Sequence, residues 1–205
     1  KTPNVNAGEA VRRMSAVYPE ARLIYIVRDG RDAALSHRFQ RFIDHPHLMS
    51  HADQRIRRDF ARNSRPYFNR ERSIFTTQAL ANEARAWSAN VTDTHASGIQ
   101  LLAERYLSLR YEDLLASPVE HLGRVWLFLG IDPNFADMDK LIQEKMNDNP
   151  GADAHLAKDG DLASHLKRGR KGNWRELFTP RDCQIFKDLA GQALIDWKYE
   201  KDLNW

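Results

Sequence analysis

Two apolar strand patterns, each followed at once by an amphipathic helical one, predict an α/β fold around a parallel sheet. The run Leu23 to Val27 is continuously apolar and rich in β-branched residues, as expected of a strand covered on both faces, and such strands are mostly parallel. Directly after it, Leu35, Phe39, Phe42 and Ile43 recur at the spacing of one buried helical stripe. The second strand pattern, Tyr106 to Tyr111, alternates Leu107, Leu109 and Tyr111 with Ser108 and Arg110. With 205 residues and 42% hydrophobic content, the chain is one globular domain or most of one, large enough for a proper core.

The elements follow in order, without repeats or low-complexity tracts. A first helix is expected from about Ala7 to Tyr18, with Val11, Met14 and Val17 as a narrow stripe and Pro19 ending it. After the strand at Leu23 to Val27, Asp29 serves as N-cap of the next helix and Asp32 sits in its first turn. His45 to Asn69 reads as an irregular, strongly basic excursion carrying Arg55, Arg57, Arg58, Arg62 and Arg65, a lid-like insertion at about 45–75 rather than core. A long helix should run from near Thr77 to about His95 with Leu80, Ala84, Trp87 and Val91 inward. Beyond the second strand, Ser117, Pro118 and Glu120 give the clearest helix start, with a capping box. Leu122, Val125, Trp126 and Leu129 form its buried stripe, and Gly130 its left-handed C-terminal cap. A short helix around Ala136 to Met146 follows. A last one begins after Thr179 and Pro180, burying Phe186, Leu189, Ala190, Ala193 and Leu194.

Composition narrows the function classes. A net charge of +3 suits anionic ligands and does not call for nucleic acid. The single cysteine, Cys183, excludes an internal disulfide and fits a reducing compartment; it has no adjacent basic partner that would mark a nucleophile. No apolar run approaches the ~20 residues that span a bilayer, and no signal-peptide pattern opens the chain. It opens instead on Lys1, Thr2 and Pro3 without an initiator methionine, which suggests that something upstream has been removed or omitted. His45, His47 and His51 lie in a polar stretch without a cysteine pattern and read as no metal site.

Two stretches point to chemistry. Arg28 falls at the carboxyl end of the first strand, the rim where open parallel sheets bind ligands, and Ser36 lies two turns into the following helix beside its buried stripe. A guanidinium fork and a hydroxyl suit a phosphate dianion; the alternative for a strand-end arginine is a surface ion pair. In the second stretch, Lys167 to Arg175, Gly169 and Gly172 bracket cations, and glycines let backbone amides approach a ligand. The alternative here is a solvated turn. Trp174 gives it an apolar anchor. The arginines between Arg38 and Arg72 read either as contacts for an anionic acceptor or, preferably, as a solvated surface with local ion pairs.

Taken together, these segments resemble the C-terminal two-thirds of sulfotransferases that use 3′-phosphoadenylyl sulfate (PAPS). The strand–helix element with Arg28 followed eight residues later by Ser36 resembles the family's 3′-phosphate site. Arg110, Tyr111, Glu112 and Asp113, with Phe128, Leu129 and Gly130, resemble its RYED and FLG segments, and Tyr111 falls where a family tyrosine approaches the adenine. Gln143 to Pro150 resembles a segment ending in Asn-Asn-Pro. Lys167, Arg168 and Gly169, then Gly172, Asn173 and Trp174, resemble the Arg-Lys-Gly and Gly-Asp-Trp halves of the donor loop, with the two basic residue types exchanged.

The resemblance implies a three-layer α/β sandwich of the P-loop NTPase type, incomplete at its N-terminal side, because the family's loop for the 5′-phosphosulfate lies ahead of Lys1. It implies PAPS as donor, 3′-phosphoadenosine 5′-phosphate as product, and a hydroxyl or amine acceptor. Lys1 to Pro3 resemble a Lys-Thr-Pro at the active-site edge, with Lys1 placing charge near the bridging oxygen. Pro3 stands where members acting on phenols and steroids carry a catalytic histidine, so a proton acceptor is expected upstream. A cytoplasmic location is expected, with the Golgi lumen as alternative. Competing readings are a non-catalytic or truncated relative that binds 3′-phosphoadenosine nucleotides or an anionic partner, and a P-loop kinase of similar topology.

Overall fold

The computed structural model describes residues 7–132 and 171–205, together with residues 137, 140, 142 and 144. The expected helix at Ala136 to Met146 and the segment Gln143 to Pro150 lie largely outside them. In order come α1 (Ala7–Val17), β1 (Leu23–Val27), α2 (Gly30–Asp44), a 3₁₀ turn (Pro46–Leu48), α3 (His51–Arg62), α4 (Arg65–Phe68) and α5 (Thr77–Leu102). A 3₁₀ turn at Ala103–Arg105, β2 (Tyr106–Arg110), α6 (Tyr111–Ala116), α7 (Pro118–Leu129), α8 (Trp174–Leu177) and α9 (Pro180–Asp196) complete the described elements. The α/β class with parallel strands stands. The chain divides into two compact units, one of residues 1–28 and 87–148, the other of residues 29–86 and 149–205.

In the first unit β1 and β2 pair in parallel from Leu23 opposite Tyr106 to Val27 opposite Arg110. Leu23, Tyr25 and Val27 therefore share a face with Tyr106, Ser108 and Arg110. The α5 portion of this unit lies on that face. Tyr25 Oη donates to Asn90 Oδ1 at 2.9 Å, and His95 Nδ1 lies 3.0 Å from Tyr106 Oη. Gly98 permits the contact, since a Cβ there would sit 2.5 Å from the Tyr106 ring. That packing explains why α5 runs beyond His95 to Leu102. Burial pushes the Tyr25 phenol up to about 12 and the Tyr106 phenol up as well, while it holds His95 below its ordinary value.

Three expectations for this unit need correction. Among the described residues strand β1 is not covered on both faces, for Ile26 is 49% exposed. The α7 stripe is not buried either. Leu122, Val125 and Trp126 are half-buried and Leu129 is exposed, because among the described residues the helix packs chiefly on α6 and β2. Nor does Ser117 form a capping box. It ends α6, its N–H bonded to Asp113 O at 2.9 Å, and at φ −138°, ψ 66° its side chain caps nothing. Gly130 does take the left-handed C-terminal position, at φ 78°.

The second unit has an aromatic core. Phe39, Phe60 and Tyr67 stack edge to face, as do Phe75, Phe178 and Trp174, at centroid distances of 5.2–6.1 Å. The stretch 45–75 is thus not an irregular excursion: α3 and α4 are helices, and Phe60 and Tyr67 belong to the core. Arginines in and around this stretch bond backbone carbonyls. Arg38 Nε donates to Ile74 O and Arg57 Nε to Phe42 O, both at 2.7 Å, and Arg70 Nε donates to Phe178 O at 2.6 Å. Such bonds satisfy carbonyls that loops and helix ends would otherwise leave buried and unpaired. Helix α9 starts with a reciprocal cap: Asp182 N donates to Thr179 Oγ1 at 3.2 Å and Thr179 N to Asp182 Oδ2 at 3.0 Å.

Candidate functional site

In the first unit the strand register itself builds a rim. Val27 and Arg110 are the last paired residues, so the next residue of each strand, Arg28 and Tyr111, emerge side by side at the carboxyl end of the sheet. The Arg28 guanidinium carbon lies 5.5 Å from the centroid of the Tyr111 ring. Its backbone is fixed by Trp87 Nε1, which donates to Arg28 O at 3.1 Å. Its Nε is buried and has no hydrogen-bond partner among the described residues. A buried donor on a cation is expensive to leave unpaired, and it calls for an acceptor such as a water or a bound anion. Arg110, next door, is excluded from that role because Asp113 holds it through two bonds of 2.8 and 2.6 Å.

The second unit carries Ser36, half-buried on α2. One turn earlier on that helix lies a residue whose function the sequence did not reveal. Asp32, 1% exposed, accepts from Gly172 N at 2.6 Å and from Trp174 N at 3.0 Å, one bond to each carboxylate oxygen. The sequence presented Asp32 only as a first-turn acid, and no linear pattern links it to residues some 140 positions later. Gly172 adopts φ +82°, a conformation that favours glycine. Its amide is committed to Asp32, a correction to the expectation that this glycine frees its backbone for a ligand.

Arg31, also missed, closes the arrangement. Nearly fully buried, it pairs with Asp29 at 2.7 Å and with Glu200, and its guanidinium lies 3.9 Å from the Trp174 ring centroid and 4.4 Å from that of Trp205. Asp29 fulfils its expected N-cap role as well, accepting from Arg31 N at 2.9 Å. Trp174 is 6% exposed and is the anchor the sequence suggested. Lys1, Lys167, Arg168 and Gly169 lie outside the described residues. Arg28 and Tyr111 are brought together in the first unit, and Ser36 belongs to the second. Cys183 is half-buried, with burial pushing its thiol up, away from nucleophilic character.

Comparison with known proteins gives a consistent result. The family model described as "Sulfotransferase domain" matches residues 11–198. The human protein sulfotransferase 1C2 is 27% identical over 105 residues, covering 46% of this chain and 36% of the human protein. The rat protein of the same name is 26% identical over 110 residues, 49% of this chain and 37% of the rat protein. The matched part thus spans little more than a third of the length of these curated relatives. Among solved structures, mouse sulfotransferase SULT7A1 complexed with PAP superposes with a TM-score of 0.55 at 22% identity, over 91% of this chain and 66% of that one, a likeness of fold.

Proposed function

The chain belongs to the sulfotransferase domain family, and from that premise we propose that it serves sulfuryl transfer from PAPS to a hydroxyl or amine acceptor, supplying the 3′-phosphate and adenine side of the donor site. The observation that carries the proposal is the buried, unpartnered Nε of Arg28 beside the Tyr111 ring. A ribose-borne phosphate would give that donor its missing acceptor, and an adenine beside Tyr111 would add a stacking surface. The mouse neighbour holds PAP, a nucleotide of the same kind. In the proposal Arg28 and Ser36 contact the 3′-phosphate, Tyr111 the adenine, Lys167, Arg168 and Gly169 the donor's phosphate, and Lys1 the bridging oxygen.

Sulfuryl transfer resembles phosphoryl transfer, with charge spread over the moving group's oxygens and donor and acceptor oxygens in line. The bond from sulfur to the phosphate's bridging oxygen breaks as the acceptor's bond to sulfur forms, and the acceptor's proton passes to a general base. Cationic side chains therefore do most of the work, by holding the donor and offsetting charge on the leaving phosphate.

Titration calorimetry with adenosine 3′,5′-bisphosphate, adenosine 5′-phosphate and ATP tests the reading. The bisphosphate is expected to bind tightest, and Arg28→Met to remove most of its advantage over the 5′-phosphate. Preference for ATP would overturn the proposal in favour of a kinase-like nucleotide site. Tight bisphosphate binding without turnover in a sulfate-transfer assay would leave a non-catalytic binding module.

A further inference from the structure

We infer that Asp32 is a positioning residue for the donor's 3′-phosphate: it fastens the Gly172–Trp174 turn one helical turn from Ser36, so that the cation leading into that turn, Lys171, is presented to the anion Ser36 contacts. The inference rests on the proposed donor site and adds a residue to it. Asp32 and Ser36 are four apart on α2, and residues so spaced lie on one face, about 6 Å apart along the axis. The turn held at Asp32 is thus on the face of α2 that carries Ser36, one helical turn nearer the N-terminus.

The fastening is unusually complete. Both carboxylate oxygens of a nearly fully buried side chain are spent on backbone N–H groups two residues apart, which fixes the turn's orientation as well as its position. Those bonds also offset the negative charge of Asp32, which would otherwise oppose a phosphate. The Trp174 ring, held against Arg31 at 3.9 Å and Arg175 at 4.6 Å, prevents the turn from pivoting about the carboxylate. Lys171 is left exposed at the start of the turn.

The test compares wild type, Asp32→Asn and Gly172→Ala. In Asp32→Asn the new side-chain amide would aim a donor at a backbone N–H. In Gly172→Ala the new side chain would be strained at φ +82° and would put its Cβ 2.8 Å from Arg175 Nη1. Hydrogen exchange at Gly172 and Trp174 in Asp32→Asn, and at Trp174 and residue 172 in Gly172→Ala, reads the fastening. The ratio of affinities for adenosine 3′,5′-bisphosphate and adenosine 5′-phosphate reads its consequence, and a merely structural role would weaken both ligands alike. Faster exchange together with a fall of about tenfold or more in that ratio is expected for both variants. Unchanged exchange in Asp32→Asn overturns the inference outright. Faster exchange with an unchanged ratio overturns it too, while Arg28→Met, measured in parallel, shows whether the donor reading survives. If the wild type does not prefer the bisphosphate, the donor reading falls and this inference with it. Should Asp32→Asn fail to fold, Gly172→Ala decides by the same two readouts.

Discussion

Arg28 of the first unit and the two most buried arginines of the second are partnered in opposite ways. In the second, Arg31 and Arg38 are almost fully buried, and each is matched: Arg31 by two carboxylates and two indole rings, Arg38 by Asp53 at 2.6 Å and a backbone carbonyl. In the first, Arg28 has an aromatic neighbour but leaves its Nε buried without an acceptor among the described residues. A satisfied buried charge is architecture, because removing it leaves its partners stranded. One that is not satisfied is a cost the fold bears for something else, and a bound anion is the simplest candidate.

The sharpest way to break that comparison is to delete one arginine of each kind. Arg31→Ala should destabilise the second unit by about 3–5 kcal/mol, since Asp29 and Glu200 would be left as uncompensated, largely buried carboxylates. Chemical denaturation checks it, and a loss comparable to that of a surface arginine would show the ion pairs to be ornamental. Arg28→Met should do the reverse, costing about 1.5–3 kcal/mol of bisphosphate binding while leaving the denaturation midpoint almost unchanged, because an apolar chain of similar shape removes an unsatisfied donor. A large fall in stability with intact binding would make Arg28 a structural residue after all.

The same contrast explains what the sequence disclosed. Strand β1, helix α2 with its Asp29 cap, and the position of Arg28 at the strand end were legible because each depends on neighbours within a few residues. The Arg28–Tyr111 pair became legible only through strand register, which no local pattern encodes. Asp32 and Arg31 stayed hidden because their partners lie far along the chain, at Gly172, Trp174 and Glu200. The stretch around α3 misled for a different reason: arginines that satisfy buried carbonyls look, in sequence, like solvated ones. Strand β1 and the α7 stripe misled in the other direction. Apolar periodicity records that a face can be covered, and Ile26 and Leu129 remain exposed among the described residues.

Helix starts give a smaller version of the comparison. Ser117-Pro118 and Thr179-Pro180 look alike in sequence, yet only Thr179 caps, through both bonds of the box. Thr179→Ala should therefore cost about 1 kcal/mol and Ser117→Ala a few tenths at most, measured by the shift in thermal midpoint. Equal effects would mean that the geometry at Ser117 is not what separates them.

The mildest effect is expected from His95, which belongs to the first unit's polar seam with Tyr25 and Tyr106 rather than to its rim. Burial holds its folded pKa below the ordinary value of about 6.5, so in that interval the unfolded chain binds a proton that the folded chain does not. Stability from this source is then complete above about pH 6.5 and is lost as pH falls toward the folded pKa. His95→Gln keeps a polar group near Tyr106 and has nothing to titrate, so its thermal midpoint should decline less than that of the wild type between about pH 6.5 and 5, whatever the offset between the two proteins at about pH 7.5. Parallel curves over that range would show that the imidazole is as readily protonated in the fold as outside it. The seam would then be open to water, and burial of its polar groups would not distinguish it from the Arg28 rim.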